Sequence, residues 1–163
     1  MATTRRTLLR KHLQDPAALG TRRGVVRRWL GDNLRLAGDI DEARATYALA
    51  RVDLEDELTR QPENPLFLAE LAIVRARLGD RDQALALAQR CQPLAEQSRR
   101  HEYRTACRMA RLHTELAAGN SAAAANLLTD ALRLSEGSPP LTPELLRADP
   151  EFAALRDRPE FRN

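Results

Sequence analysis

Three histidines, two cysteines and a few clustered carboxylates are the groups in this 163-residue chain whose types could do chemistry. A metal site needs ligands that converge at short spacing. His101 and Cys107 lie six residues apart, nearly two helical turns, which is poor ligand geometry on one helix. His12 and His113 have no second ligand type near them, and Cys91 and Cys107 form no paired spacing. A nucleophile needs an adjacent base, and no local motif supplies one. Cys91 reads instead as a small hydrophobe at a helix-packing position. No glycine-rich phosphate loop occurs, because the glycines sit at turns or helix ends, apart from Gly24 and Gly31. Asp39, Asp41 and Glu42 gather where a helix should begin, and the helix dipole accounts for acids there. The expectation is a protein that is not an enzyme and that has no catalytic, cofactor-binding or metal-binding residues.

Charge is the second chemical signal. The net charge of +3 is unevenly spread. Residues 1–30 carry eight Lys and Arg against Asp15 alone, a balance of +7, and the rest of the chain carries −4. Arg22, Arg23, Arg27 and Arg28 form the densest basic patch. Such a patch attracts nucleic acid or an acidic partner, or it is simply a solvated helix face. Trp29 is the one aromatic there and is expected to be buried, so nucleic-acid binding would be weak, sequence-blind and steeply salt-dependent.

The elements that would position these groups follow from the dominance of Ala, Leu and Arg and the scarcity of strand-preferring residues, which favours helices. A first helix runs to about Gln14, with Leu8, Leu9 and Leu13 on one face, a face that could dock on a second copy. Asp15-Pro16 is a boundary. The next helix settles near Arg22 and runs to Ala37, with Val26, Trp29, Leu30 and Leu34 inward. Gly38 ends it and Asp39 caps its successor, which extends from Asp41 to about Arg60. After a break at Gln61–Pro65, helices follow over Pro65–Leu78 and Arg81–Cys91, with Pro93 ending or kinking the second. Glu102–Ala118 and Ser121–Leu134 make a further pair, and Ser135–Pro140 reads as a loop. Thr142-Pro143-Glu144 and Asp149-Pro150-Glu151 each read as a cap, a first helical residue and a favourable acid. Two short helices there, with Phe152 and Phe161, would cover an exposed apolar end.

The pattern repeats. Gly79-Asp80 with Ala84 lies 41 positions after Gly38-Asp39 with Ala43, and Gly119-Asn120 with Ala124 lies 40 positions further on. Self-similarity at a fixed period of this size marks stacked helical repeats. The expected fold class is all-α in a single domain over residues 1–163. Residues 1–20 form an N-terminal helix and linker, 22–60, 65–100 and 101–135 are helical pairs, and 141–163 is the C-terminal cap. No apolar run approaches the ~20 residues that span a bilayer, and the N-terminus lacks the apolar core of a secretory signal. With two cysteines in no disulfide framework, the expected location is cytoplasmic.

Leu30-Gly31, Gly38-Asp39, Ala43, Tyr47 and Ala50 resemble the tetratricopeptide repeat in order and spacing. Leu71-Ala72, Gly79-Asp80, Ala84, Ala88 and Cys91 keep that spacing with Ala in place of the first Gly. Leu112, Gly119-Asn120, Ala124, Leu128 and Ala131 form a third copy, in which Arg111 and Glu115 stand at positions usually apolar. The period exceeds the usual 34 residues and is similar to that of longer-helix members such as the kinesin light chain type. The resemblance implies a right-handed α-α superhelix, a tetratricopeptide-like solenoid, of about three pairs. It also implies a concave face, lined by the first helix of each pair, that binds a protein or peptide. Carried over position by position, that face presents Arg28, Asp32 and Arg35, then Ala69, Ile73 and Arg77, then Met109 and His113, a mixed groove with an Ile-Met floor. The places that grip a C-terminal carboxylate in part of the family hold Arg28, Asp32 and Glu70 here, and the acids argue against that ligand. The tail from Leu146 through Asp149-Pro150-Glu151-Phe152 to Phe161 is similar to the ending of such repeats in bacterial kinases, adenylate cyclases and winged-helix regulators. The expected function is thus a non-catalytic interaction module or scaffold, of the kind that forms the regulatory region of a bacterial signalling or transcription-regulating protein. The alternatives are a binder of nucleic acid or an acidic partner through the basic end, and a homo-oligomerisation module.

Overall fold

The computed structural model describes residues 2–15, 20–134, 147 and 149–156. Among these the chain is all-helical, with eight α-helices, two 3-10 turns and no strand. We label them α1 (Ala2–Gln14), α2 (Arg23–Leu36), α3 (Ile40–Arg60), α4 (Pro65–Leu78), α5 (Arg81–Gln97), α6 (His101–Ala117), α7 (Ser121–Leu134) and α8 (Ala153–Arg156). The 3-10 turns are Gly20–Arg22 and Pro150–Phe152. No helix among the described residues is long and apolar enough to cross a membrane. The expected loop at 135–140, the helix at Thr142-Pro143-Glu144 and the contribution of Phe161 lie outside the described residues.

Local chemistry explains where the helices stop. Three of them end in the same Schellman closure, in which the glycine takes a positive φ and the following amide reaches back to a carbonyl five residues earlier. Gly38 has φ 87°, Gly79 88° and Gly119 80°. The closing bonds are Asp39 N to Leu34 O, Asp80 N to Arg75 O and Asn120 N to Glu115 O, each 2.9 Å. Only glycine adopts this backbone without a Cβ penalty, so the 41- and 40-residue spacing seen in the sequence is a spacing of identical turns. At the other end of a helix, Asn64 accepts a bond from Leu66 N at 3.0 Å and Pro65 supplies the first turn.

Each helix packs on the next along the chain, α4 also packs on α6, and α2 touches α4. The cores follow this order. One joins α2, α3 and α4 around Leu30, Leu34, Tyr47, Leu54, Phe67 and Val74. A second joins α4, α5 and α6 around Leu68, Ile73, Ala88, Cys91, Cys107 and Ala110. The third joins α6 and α7 to the C-terminal segment through Leu112, Ala124, Ala125, Leu128, Phe152 and Leu155. The first two cores are completed by the helix that follows the pair, and the third by Phe152 and Leu155 of the C-terminal segment.

Several local expectations need correction. Trp29 is 43% exposed, because the buried stripe of α2 runs through Val26, Leu30 and Leu34 and leaves Trp29 at its edge. Helix α5 continues through Pro93 to Gln97. The residue four positions earlier, Gln89, whose carbonyl loses its donor to the proline ring, is exposed. Asp39 makes no side-chain cap; its carboxylate is taken by Arg6 of α1, while Arg10 holds Glu42. The first helix therefore has a partner. Leu9 and Leu13 pack on the first core, and of that face Leu8 alone stays exposed.

Candidate functional site

Arg28, Asp32 and Arg35 fall on one side of α2, since residues four and seven apart share a helix face. Arg77 near the end of α4 and His113 on α6 meet them there. Arg28 forms a bidentate pair with Glu70 of α4, Nε to Oε2 at 2.5 Å and Nη2 to Oε1 at 3.0 Å, and its Nη1 donates to Asp32 Oδ2 at 2.6 Å. The other oxygen of Asp32 accepts from the Tyr47 hydroxyl at 2.6 Å and from Arg77 Nε at 3.3 Å. Arg77 Nη1 then reaches Glu151 Oε1 at 2.5 Å. Arg35 forks onto Asp149, Nη1 to Oδ1 at 3.0 Å and Nη2 to Oδ2 at 2.6 Å.

His113 completes the network. Its Nδ1 lies 3.0 Å from Glu151 Oε2 and 3.3 Å from Arg77 Nη2. One nitrogen cannot donate to the first and accept from the second at once. The carboxylate at the shorter distance therefore sets the proton on Nδ1, and the arginine contributes its charge alone. The His113 ring also tilts against Phe152, centroids 6.1 Å apart.

This is a desolvated ionic site. Burial works against the charge of Asp32, but Arg28, Arg77 and the Tyr47 hydroxyl outweigh it and hold the carboxyl far below its usual range. For Glu151, burial again opposes ionisation, and His113 and Arg77 together bring the group down from 4.5 to about 2. Burial and the neighbouring Asp32 push the Tyr47 phenol up, so it remains a donor. Burial disfavours the charge of Arg28, Arg77 and Arg35, yet their carboxylate partners raise all three.

Of the eight residues expected on a binding face, Arg28, Asp32, Arg35, Arg77 and His113 come together. Ala69 and Ile73 do not belong with them. They are 0% and 2% exposed inside the second core, because α6 packs over that side of α4. Met109 is half-buried between the second and third cores. There is thus no open Ile-Met floor. Sequence reasoning missed Tyr47 and the tail acids as members of this site, and it read Glu70 as an argument against a ligand, whereas Glu70 is the partner of Arg28. The motif Asp149-Pro150-Glu151 signalled a helix cap, and Asp149 does accept from Glu151 N at 2.9 Å. That local role hid the long-range one.

The basic patch is not a single surface. Arg28 is drawn into the network, Arg27 pairs with Asp53 at 2.6 Å, and Arg22 is exposed. Burial raises the Asp53 carboxyl despite Arg27 and Arg23. Elsewhere, His12 engages the Leu8 carbonyl at 2.9 Å and His101 the Thr105 hydroxyl at 3.3 Å. Cys91 and Cys107 are free and buried, and a hydrogen bond to Cys91 together with burial pushes the Cys107 thiol up. Among the described residues no His, Cys, Asp or Glu cluster could hold a metal ion. Chemically, the network consists of forked arginines that hold carboxylates with fixed geometry. No family model, curated protein or solved structure matches the chain.

Proposed function

We propose that this protein is a non-catalytic interaction module of the tetratricopeptide-like kind, a right-handed superhelix of three helical pairs whose α2/α4/α6 face receives a protein segment. The three identical glycine turns at near-constant period support the repeat architecture, as does the close approach of Gly31 to Tyr47. The observation that carries the functional reading is that this face already holds a stretch of polypeptide: Arg35, Arg77 and His113 bind the side chains of Asp149 and Glu151. The dispersal of the basic residues favours a protein partner over nucleic acid. Two buried free thiols suit a reducing, cytoplasmic location, and a regulatory role in a bacterial signalling protein belongs to the same proposal.

Selection of a random peptide display library on the full chain tests it. Selected peptides should shift the amide resonances around Arg28, Asp32, Arg35, Arg77 and His113. A library that yields no binder, or only binders mapping to other surfaces, rejects the reading.

A further inference from the structure

We propose that Asp149–Phe152 is a resident ligand of the α2/α4/α6 face, and that the partner is a protein segment of the same chemistry which displaces it. That chemistry is two carboxylates two residues apart with an aromatic residue directly after the second. The proposal rests on the reading of this face as a recognition surface and names what it recognises.

Charge sets the first requirement. Among the described residues of the helices, Arg28, Arg35 and Arg77 pair with Asp32 and Glu70, and their other carboxylates are Asp149 and Glu151 of the tail. The carboxylates that hold Arg35 both belong to the tail. A half-buried guanidinium left without an anion is costly, so whatever replaces the tail must itself bring carboxylates to Arg35 and Arg77. Shape sets the second. Phe152 is 2% exposed against the His113 ring, Leu112 and Leu128, and an occupant lacking an aromatic would leave that pocket unfilled.

The tail is also built as a separable element. Its turn closes on itself, with Glu151 N on Asp149 Oδ1 at 2.9 Å, Phe152 N on Asp149 O at 3.1 Å and Arg156 Nη2 on Asp149 O at 2.8 Å. Its described polar links to the helices, from Arg35, Arg77 and His113, run through side chains. A segment that satisfies its own backbone and is read by side chains is recognisable from another chain, since no shared ladder has to be rebuilt. Being part of the same chain, the tail competes intramolecularly, so it suppresses weak or mismatched occupants and yields only to a well-matched one.

The test uses the full chain and a fluorescein-labelled peptide with the sequence of residues 149–156, followed by anisotropy. Phe152→Ala should bind the peptide about tenfold or more tightly than the unaltered chain, because its own tail competes less. Adding Arg35→Met to that variant, or replacing both peptide acids by amides, should weaken binding by at least about tenfold. Should Phe152→Ala fail to fold, Asp149→Asn with Glu151→Gln weakens the tail while keeping its aromatic. In the unaltered chain, the signal of 19F-labelled Phe152 should move toward its free position as unlabelled peptide is added. Peptide binding that is equal in all chains, or absent from a folded chain whose only changes weaken the tail, overturns the proposal. So does a dimer with exchanged tails, which would make the partner a second copy. Library binders that map to the face but lack two acids two residues apart followed by an aromatic defeat this inference and leave the interaction-module reading standing.

Discussion

Replacing Gly31 by Ala sets two physical effects against each other, and the structure decides the sign. In the interior of a helix this change ordinarily stabilises by ~1 kcal/mol, since Ala loses less backbone entropy. At Gly31, however, the new Cβ would stand 2.6 Å from Tyr47 Cε1, 2.8 Å from Cδ1 and 3.1 Å from Cζ. Ordinary carbon contacts are ~3.5–4.0 Å, so the ring must withdraw by about 1 Å. Tyr47 has little freedom to do so, being 2% exposed and tied by its hydroxyl to Asp32 at 2.6 Å. Overpacking of this kind costs ~1–3 kcal/mol, and loss of the hydroxyl bond adds ~1 kcal/mol. Set against the propensity gain, the expected result is a net loss of ~1–3 kcal/mol. Urea unfolding followed by far-UV circular dichroism reads this directly as a lower midpoint at unchanged m value. Tyr47→Phe alone should cost ~1 kcal/mol, and the two changes together should cost less than their sum because both surrender the same bond. A Gly31→Ala protein as stable as the parent, or more stable, would refute the argument, since helix propensity would then outweigh a contact that the structure makes rigid.

Glu70→Gln removes one charge beneath Arg28 while keeping the shape, and urea unfolding should show a loss of ~3 kcal/mol, most of it regained when Arg28 and Glu70 both become Met. Because the Glu151 carboxyl is lowered from 4.5 to about 2 in the folded protein, its contribution is fully present above pH 4.5 and disappears as the pH falls toward 2. Stability measured along that descent should drop by ~3 kcal/mol on this account, and Glu151→Gln should flatten that part of the curve. Cys91 and Cys107 are buried, so Ellman's reagent should leave the native protein unmodified and titrate two thiols after denaturation. Rapid labelling of either thiol in the folded state would contradict their placement.

Much of the secondary structure was legible in the amino-acid sequence because its signals are local. Gly38, Gly79 and Gly119 end helices through their own φ angles, and Asn64-Pro65 starts one through its own side chain and ring. The same local logic failed where a side chain had two possible partners. Asp39 stands at a helix start yet gives its carboxylate to Arg6, and Asp80 at the start of α5 gives its carboxylate to Arg75 at 2.6 Å.

The sequence by itself therefore determined that the chain is helical, where most of its helices begin and end, and that its turns recur, because backbone hydrogen bonds and dihedral preferences act over about five residues. Tertiary structure alone decided that Trp29 faces outward, that Ala69 and Ile73 lie beneath α6, and that Arg35 and Asp149 meet across 114 residues of chain. Those outcomes depend on which helix packs over which face. Charged side chains settle wherever packing removes them from water together, and an arginine in the sequence carries no mark of the carboxylate it will find.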